Sequence, residues 1–168
     1  MDNDTMRSRK VSKTRKYDAV VTTPVGRVGI VVRDGALVDM NFLGKSAALH
    51  APQSDMARRA CRQLRSYFTN PQHSFHLPVK LAGTPFQNKV WRALRRIPVG
   101  RTLSYGNLAH RLNTSARAVG NACRANPVPI VVPCHRVVAA NGLGGFMGKR
   151  SGLSLNRKQW LLEHERGQ

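Results

Sequence analysis

Residues 104–126 read SYGNLAHRLNTSARAVGNACRAN. Ser104 stands where a helix N-cap belongs, and Tyr105, Leu108, Ala109 and Leu112 follow at helical spacing. Asn113-Thr114 turns the chain, and Ser115 caps a second short helix that runs to about Ala125. Two short capped helices joined by a tight turn form a helix-turn-helix. The second helix is rich in small residues. Ala116, Ala118, Gly120 and Ala122 cover little backbone, so this helix can press closely against a partner.

Upstream, Thr84-Pro85-Phe86-Gln87 is a helix start, with Thr as N-cap, Pro at the first helical position and Gln closing a capping box. Phe86, Val90, Leu94 and Ile97 form its apolar stripe, and Pro98-Val99-Gly100 stops it. The texture changes at Gly83, where we place a domain boundary. Before it, three β-rich runs span about 17–23, 27–33 and 36–42, with Asp34-Gly35 a hairpin signal. A helix over 55–68 buries Ala57, Ala60, Cys61, Leu64 and Phe68, and the alternation of Phe75, Leu77, Val79 and Leu81 predicts an edge strand. Downstream, Ile130–Val132 is expected as a short strand between prolines, followed by a glycine-rich loop over 142–152 and a last helix from Asn156 to about His164. The fold class is therefore α/β (α+β): a disordered basic arm over 1–16, a small β-rich α/β domain over 17–82, and a winged-helix-like helix-turn-helix domain over 83–168.

Charge says what the helix-turn-helix meets. The 168 residues hold 28 Lys and Arg against 8 Asp and Glu, a net charge of +20. The first sixteen residues account for only +4 of this, so the body itself is basic. After Asp55 no carboxylate occurs until Glu163, while 18 Lys and Arg lie between. Such a field attracts polyanions, and nucleic acid is the expected partner. No apolar run approaches the roughly 20 residues of a membrane span, and the start has no signal-peptide core, so a cytoplasmic or nuclear protein is expected. Three cysteines, an odd number, suit a reducing compartment.

Cys61 and Cys123 fall among small or apolar helix residues and read as core thiols. Cys134 belongs to no apolar stripe and sits in VPCHRVV, residues 132–138. Neighbouring cations lower a thiol pKa, and His135 can take its proton directly or through a water, although the pair can equally be ordinary turn residues. A working imidazole needs an orienting partner, and the second half of the chain offers only Glu163 and Glu165. No four-ligand metal set with zinc spacing is present in the sequence. The chemistry expected of a soft thiolate here is displacement at an alkyl carbon.

RAVGNACRANPVPIVVPCHRVV, with SYGNLA upstream and WLLEHE downstream, strongly resembles the O6-alkylguanine-DNA alkyltransferases, over about Gly83 to Glu165. TTPVG, opening the first half, resembles the start of that family's N-terminal domain. The resemblance implies irreversible single-turnover repair, with no cofactor, of alkylated guanine in double-stranded DNA. Some members of the family bind a structural zinc in the N-terminal domain; with only Cys61 available there that site is not carried over, so no metal is expected. The protein would bind as a monomer in the minor groove, with cooperative binding left open. It implies that Cys134 is the alkyl acceptor, His135 its water-bridged base and Glu165 the orienting carboxylate. Arg117 resembles the family's arginine finger and Tyr105 the tyrosine that helps extrude the base. Ala116, Ala118 and Gly120 give the close groove contact, Asn126 is the hinge, and Val137, Phe146 and Pro129 fall at the guanine pocket. Plainer roles stay open: Arg117 as a phosphate contact, Tyr105 as core, Asn126 as a helix cap, Glu163 in place of Glu165. Phe146 stands where the family usually has a tyrosine, and extra residues including Lys149 and Arg150 follow it. Other readings are a non-repairing sensor of alkylated bases or a regulator of the same fold, a multiple-turnover cysteine hydrolase, and a basic packing protein.

Overall fold

Asp34 and Gly35 both take positive φ, 50° and 71°, and close the tight hairpin their sequence signalled. The computed structural model describes residues 17–167; the arm expected over 1–16 lies outside the described residues. The hairpin joins β2 (Gly26–Arg33) to β3 (Ala36–Leu43), and β1 (Ala19–Thr23) completes an antiparallel sheet of order β1-β2-β3. Helix α1 (Asp55–Thr69) packs across the sheet, its N-cap Ser54 accepting from the Ala57 N–H at 3.1 Å. Its buried face is Ala57, Ala60, Cys61, Leu64 and Tyr67. Tyr67, not the expected Phe68, completes it; Phe68 lies at its margin, half-buried.

The strand expected over 75–81 is not formed. Only one bridge, Leu37 with Val79, ties this segment to β3, through Leu37 N–H to the Pro78 carbonyl and Lys80 N–H to the Leu37 carbonyl. Pro78 has no N–H with which to extend the ladder.

In the second half, α2 (Pro85–Leu94) begins with the complete Thr84/Gln87 capping box. It buries Val90, Trp91 and Leu94, so Trp91 is an addition to the expected stripe. After β4 (Leu103–Ser104) come α3 (Tyr105–Arg111) and α4 (Ala116–Arg124), with Ser104 and Ser115 as side-chain N-caps. This is the helix-turn-helix, closed by Asn113 at φ 55°. The Trp91 indole N–H donates to the Ala122 carbonyl at 2.8 Å, fixing α4 against α2. A short β5 (Val137–Val138) pairs in parallel with β4.

Residues 130–132 are a turn rather than the expected strand. Pro127 and Pro129 remove two ladder donors, Val132 N–H closes onto the Val128 carbonyl, and Ile130 takes φ 74°. A buried β-branched residue there is strained. The last helix, α5 (Leu153–Glu165), starts directly after Gly152, before the expected Asn156.

The two halves meet along a bonded seam. Met40 N–H donates to the Pro127 carbonyl at 2.9 Å and Arg157 Nε to the Val25 carbonyl at 2.9 Å. The Phe42 and Phe146 rings lie 5.9 Å apart. The helix that carries the site therefore rests on both halves. Thr84→Ala, which dismantles the capping box, is expected to cost about 1 kcal/mol in thermal or denaturant unfolding with no change of fold.

Candidate active site

Cys134 opens a single 3-10 turn, Cys134–Arg136, immediately after the 126–133 turn. Asn126 holds that turn in shape: its side chain donates to the Val132 carbonyl at 2.8 Å and accepts from Val128 N–H at 3.0 Å. The helix cap itself falls on Ala125, so the Asn126 side chain is spent on the loop that presents Cys134. The parallel pairing of β4 with β5 sets Leu103 beside Val137, which brings Tyr105 at the head of α3 close to the Cys134 turn.

Behind Cys134 lies a buried polar cluster. His135 and Glu165 are 0% and 1% exposed, and His135 Nε2 stands 2.6 Å from Glu165 Oε1. A hydrogen bond to a carboxylate puts the imidazole proton on Nε2 and leaves the lone pair on Nδ1. Arg136 clasps the same carboxylate side-on, Nε to Oε2 at 2.9 Å and Nη2 to Oε1 at 3.0 Å, and its Nη1 donates to the Ile97 carbonyl at 2.6 Å. The Tyr67 hydroxyl donates to Oε1 at 2.9 Å. Of the two carboxylates left open, Glu165 is the buried one; Glu163 accepts only from Gln159, on the surface.

Burial alone would raise the Glu165 pKa, but the His135 and Arg136 hydrogen bonds and charges win and hold it down to about 2. Burial pushes the His135 imidazole down, against the pull of Glu165, which favours the neutral ring. Burial pushes the Cys134 thiol up, and the opposing Asn126 hydrogen bond and Lys158 charge do not reverse this. The expectation that neighbouring cations lower the thiol is therefore corrected: desolvation of a sulfur only 4% exposed outweighs them. Lys158 is fully buried, donating to the Val137 carbonyl at 2.7 Å and the Gly145 carbonyl at 2.8 Å, and burial brings its pKa down to about 8.

In front of Cys134 opens a cleft of about 850 Å³. Its walls include Tyr105, Ala116, Arg117, Gly120 and Phe146. Arg117 is exposed, and a Cβ at Gly120 would meet nothing within 4 Å. Tyr105 donates to the Gly145 carbonyl at 3.3 Å and lies under Lys158 Nζ, 5.6 Å from the ring centroid. Gly144, at φ 71°, is required here, because a Cβ would fall 2.9 Å from the Tyr105 ring. The residues that follow Phe146 make a tight turn, with Met147 and Gly148 at positive φ, that returns Lys149 to pair with Phe146 at the cleft wall.

Not every expected pocket residue reaches the cleft. Val137 and Pro129 are buried and do not line it; Ala118, expected as a groove contact, is half-buried. Cys123, read as a core thiol, is buried and also lines the cleft. Arg136, Lys158 and Tyr67 were missed. The signal for Lys158 was present, since Lys158, Leu161, Leu162 and Glu165 share one helix face at i, i+3, i+4 and i+7. Among the described residues, no group of three His, Cys, Asp or Glu side chains is placed to hold a metal ion, and no helix is long and apolar enough to cross a membrane.

Residues 85–167 match the 6-O-methylguanine DNA methyltransferase DNA-binding domain. A methylated-DNA–protein-cysteine methyltransferase of Methanosarcina acetivorans is 37% identical over 156 residues, covering 89% of this chain and 97% of its own. One from Mycobacterium leprae is 44% identical, covering 83% of each. Among solved structures, Mycobacterium tuberculosis OGT in complex with DNA superposes with a TM-score of 0.74 at 34% identity, over 89% of this chain and 92% of that one.

The raised thiol pKa has a direct readout. In the absence of DNA, alkylation of Cys134 by iodoacetamide should be slow at neutral pH and still be accelerating beyond pH 9.0, the ordinary value for a thiol. Peptide mapping across a pH series measures it; a plateau near neutrality would show a preformed thiolate.

Proposed function

The chain belongs to the methylated-DNA–protein-cysteine methyltransferase family, and from that premise we propose that Cys134 accepts the alkyl group in direct repair of O6-alkylguanine in DNA. The observation that carries this reading is the buried Cys134 on the wall of a cleft that the helix-turn-helix helps to form, next in the chain to a His135 that is bonded to the buried Glu165 and whose Nδ1 is buried without a partner.

The helix-turn-helix enters the minor groove of double-stranded DNA, and the protein acts as a monomer. Support comes from the outer face of α4, where Ala116 and Gly120 leave the backbone open and Arg117 points outward among them. Arg117 takes the stacking place of the extruded nucleotide, and Tyr105 stands at the mouth of the pocket that receives it. Extrusion costs a few kcal/mol, offset by contacts in the cleft. Residues 83–168 act as the DNA-binding and alkyl-acceptor domain, with residues 17–82 in support.

In the pocket the thiol is protonated and the imidazole neutral, the states that general-base catalysis requires. Nδ1 of His135 takes the thiol proton through one water while Nε2 stays on Glu165. The sulfur attacks the alkyl carbon in line, an S–C bond forms as the C–O bond breaks, and guanine leaves as its anion. The proton held by His135 passes to guanine, so the net exchange is alkyl to sulfur and hydrogen to base. Lys158 beside the sulfur stabilises the thiolate as it forms. A thioether is not hydrolysed under mild conditions, so each protein molecule acts once.

Mixing the protein with an oligonucleotide bearing one O6-methylguanine should add a single methyl, mapped to Cys134, in proportion to guanine restored. Cys134→Ser should retain DNA binding and lose transfer. Lesion binding with no added mass would mean a sensor, and repeated turnover without added mass a hydrolase. Arg117→Ala should slow single-turnover transfer by at least about tenfold while weakening affinity for undamaged duplex far less, because it removes support for extrusion rather than many phosphate contacts. Equal losses in both would make Arg117 a phosphate contact.

A further inference from the structure

The carboxylate that orients His135 is held by a residue from the opposite half of the chain. Tyr67 lies on α1, ninety-eight positions before Glu165, and its hydroxyl donates to Glu165 Oε1 at 2.9 Å. That is the same oxygen to which His135 Nε2 donates. Tyr67 is 0% exposed, so its hydroxyl has no competing solvent. It is fixed from both sides: its own carbonyl bonds His164 Nε2 at 2.7 Å, and its ring packs edge-on against Phe68 and His164. We propose that Tyr67 is a positioning residue for the alkyl transfer: its hydroxyl shares Oε1 with His135 and so sets how strongly the Glu165 carboxylate holds the imidazole proton.

The physical argument is one of competition for a single acceptor. Oε1 takes hydrogen bonds from the phenol, the imidazole and Arg136 Nη2, and each withdraws density from it, so each is weaker than it would be alone. Removing the phenol strengthens the hold of Glu165 on His135 and favours the imidazolium. A base that is already protonated cannot take the Cys134 proton. The charged and titratable groups around the network are Glu165 itself, the Arg136 guanidinium side-on to the carboxylate with Nη2 also on Oε1, the Lys158 ammonium, the Cys134 thiol and, against Tyr67, the His164 imidazole. Arg136 and Lys158 both oppose a charge on His135, in the same sense as the Tyr67 hydroxyl. Burial and the adjacent carboxylate keep the phenol protonated, so it acts only as a donor.

This proposal rests on the assigned roles of Cys134, His135 and Glu165, and the test separates the two. Single-turnover transfer from O6-methylguanine duplex is followed across pH 5 to 9 with the full-length protein, alongside affinity for undamaged duplex and thermal melting. In Tyr67→Phe the acid limb of the rate should move up by about one pH unit, so that transfer at low pH falls about tenfold while the alkaline plateau and DNA affinity stay near those of the parent. A second variant carries 3,5-difluorotyrosine at position 67 by site-specific incorporation. Its hydroxyl is a stronger donor in nearly the same volume, so the limb should move the opposite way, to lower pH. This arm reads out even where Tyr67→Phe folds poorly. An unmoved limb in the fluorinated protein overturns the proposal. So does a Tyr67→Phe protein that is slower by one factor at every pH with a lower melting temperature, since that is a packing role. A parent protein that takes no methyl on Cys134 sinks the acceptor assignment, and this proposal with it, before any variant is compared.

Discussion

One buried carboxylate organises this molecule. Glu165 sits at the end of the last helix, 1% exposed, and takes four hydrogen bonds from three side chains: one from His135, two from Arg136 and one from Tyr67. A lone carboxylate in that position would cost many kcal/mol of lost hydration. Here the Arg136 guanidinium neutralises it, and the remaining lone pairs are filled by an imidazole and a phenol. The donors come from α1 and from the Cys134 turn, and the Ile97 carbonyl, just after α2, accepts from Arg136 and holds it in place. Because a half-satisfied network of this kind is costly, the parts that feed it must be assembled together. The chemical site and the junction between the two halves of the chain are thus one structure.

In front of that network the fold makes a different compromise. Cys134 is buried, neutral and held directly after a turn that contains a strained Ile130 and three prolines. Asn126 ties this turn to the end of α4, and Trp91 ties α4 to α2. The thiol is therefore positioned rigidly relative to α4. What reaches it must come through the cleft, whose walls are Tyr105, Arg117 and the glycine-rich loop around Phe146. A protonated thiol beside a neutral imidazole is inert toward the many weak electrophiles in a cell, and becomes a nucleophile only when an alkyl carbon lies in line and the proton has somewhere to go.

The charge distribution serves approach rather than chemistry. The exposed arginines of α1, Arg58, Arg59, Arg62 and Arg65, and those following α2, Arg95 and Arg96, leave the outer surface basic. Such a field raises encounter rates with a polyanion and carries little sequence information.

The sequence by itself determined the local elements whose signals are chemical and short-ranged. The caps at Thr84, Ser104 and Ser115 all form as their side chains dictate, and so does the Asp34-Gly35 hairpin. Adjacency made Cys134 and His135 candidates, and scarcity narrowed their carboxylate partner to Glu163 or Glu165; the family resemblance favoured Glu165, and burial in the fold separates the two. The sequence failed where backbone pairing depends on distant strands: the segments at 75–81 and 130–132 have strand-like side chains, yet their prolines leave too few donors to build a ladder. The direction of the thiol pKa was misread for a related reason. Adjacent cations are visible in a sequence, but burial is not, and at Cys134 burial is the larger effect. Only the tertiary structure could bring Tyr67, Arg136 and Lys158 to the site. They act across long separations, and the energy of a buried charge depends on which groups surround it in space rather than on which precede it in the chain.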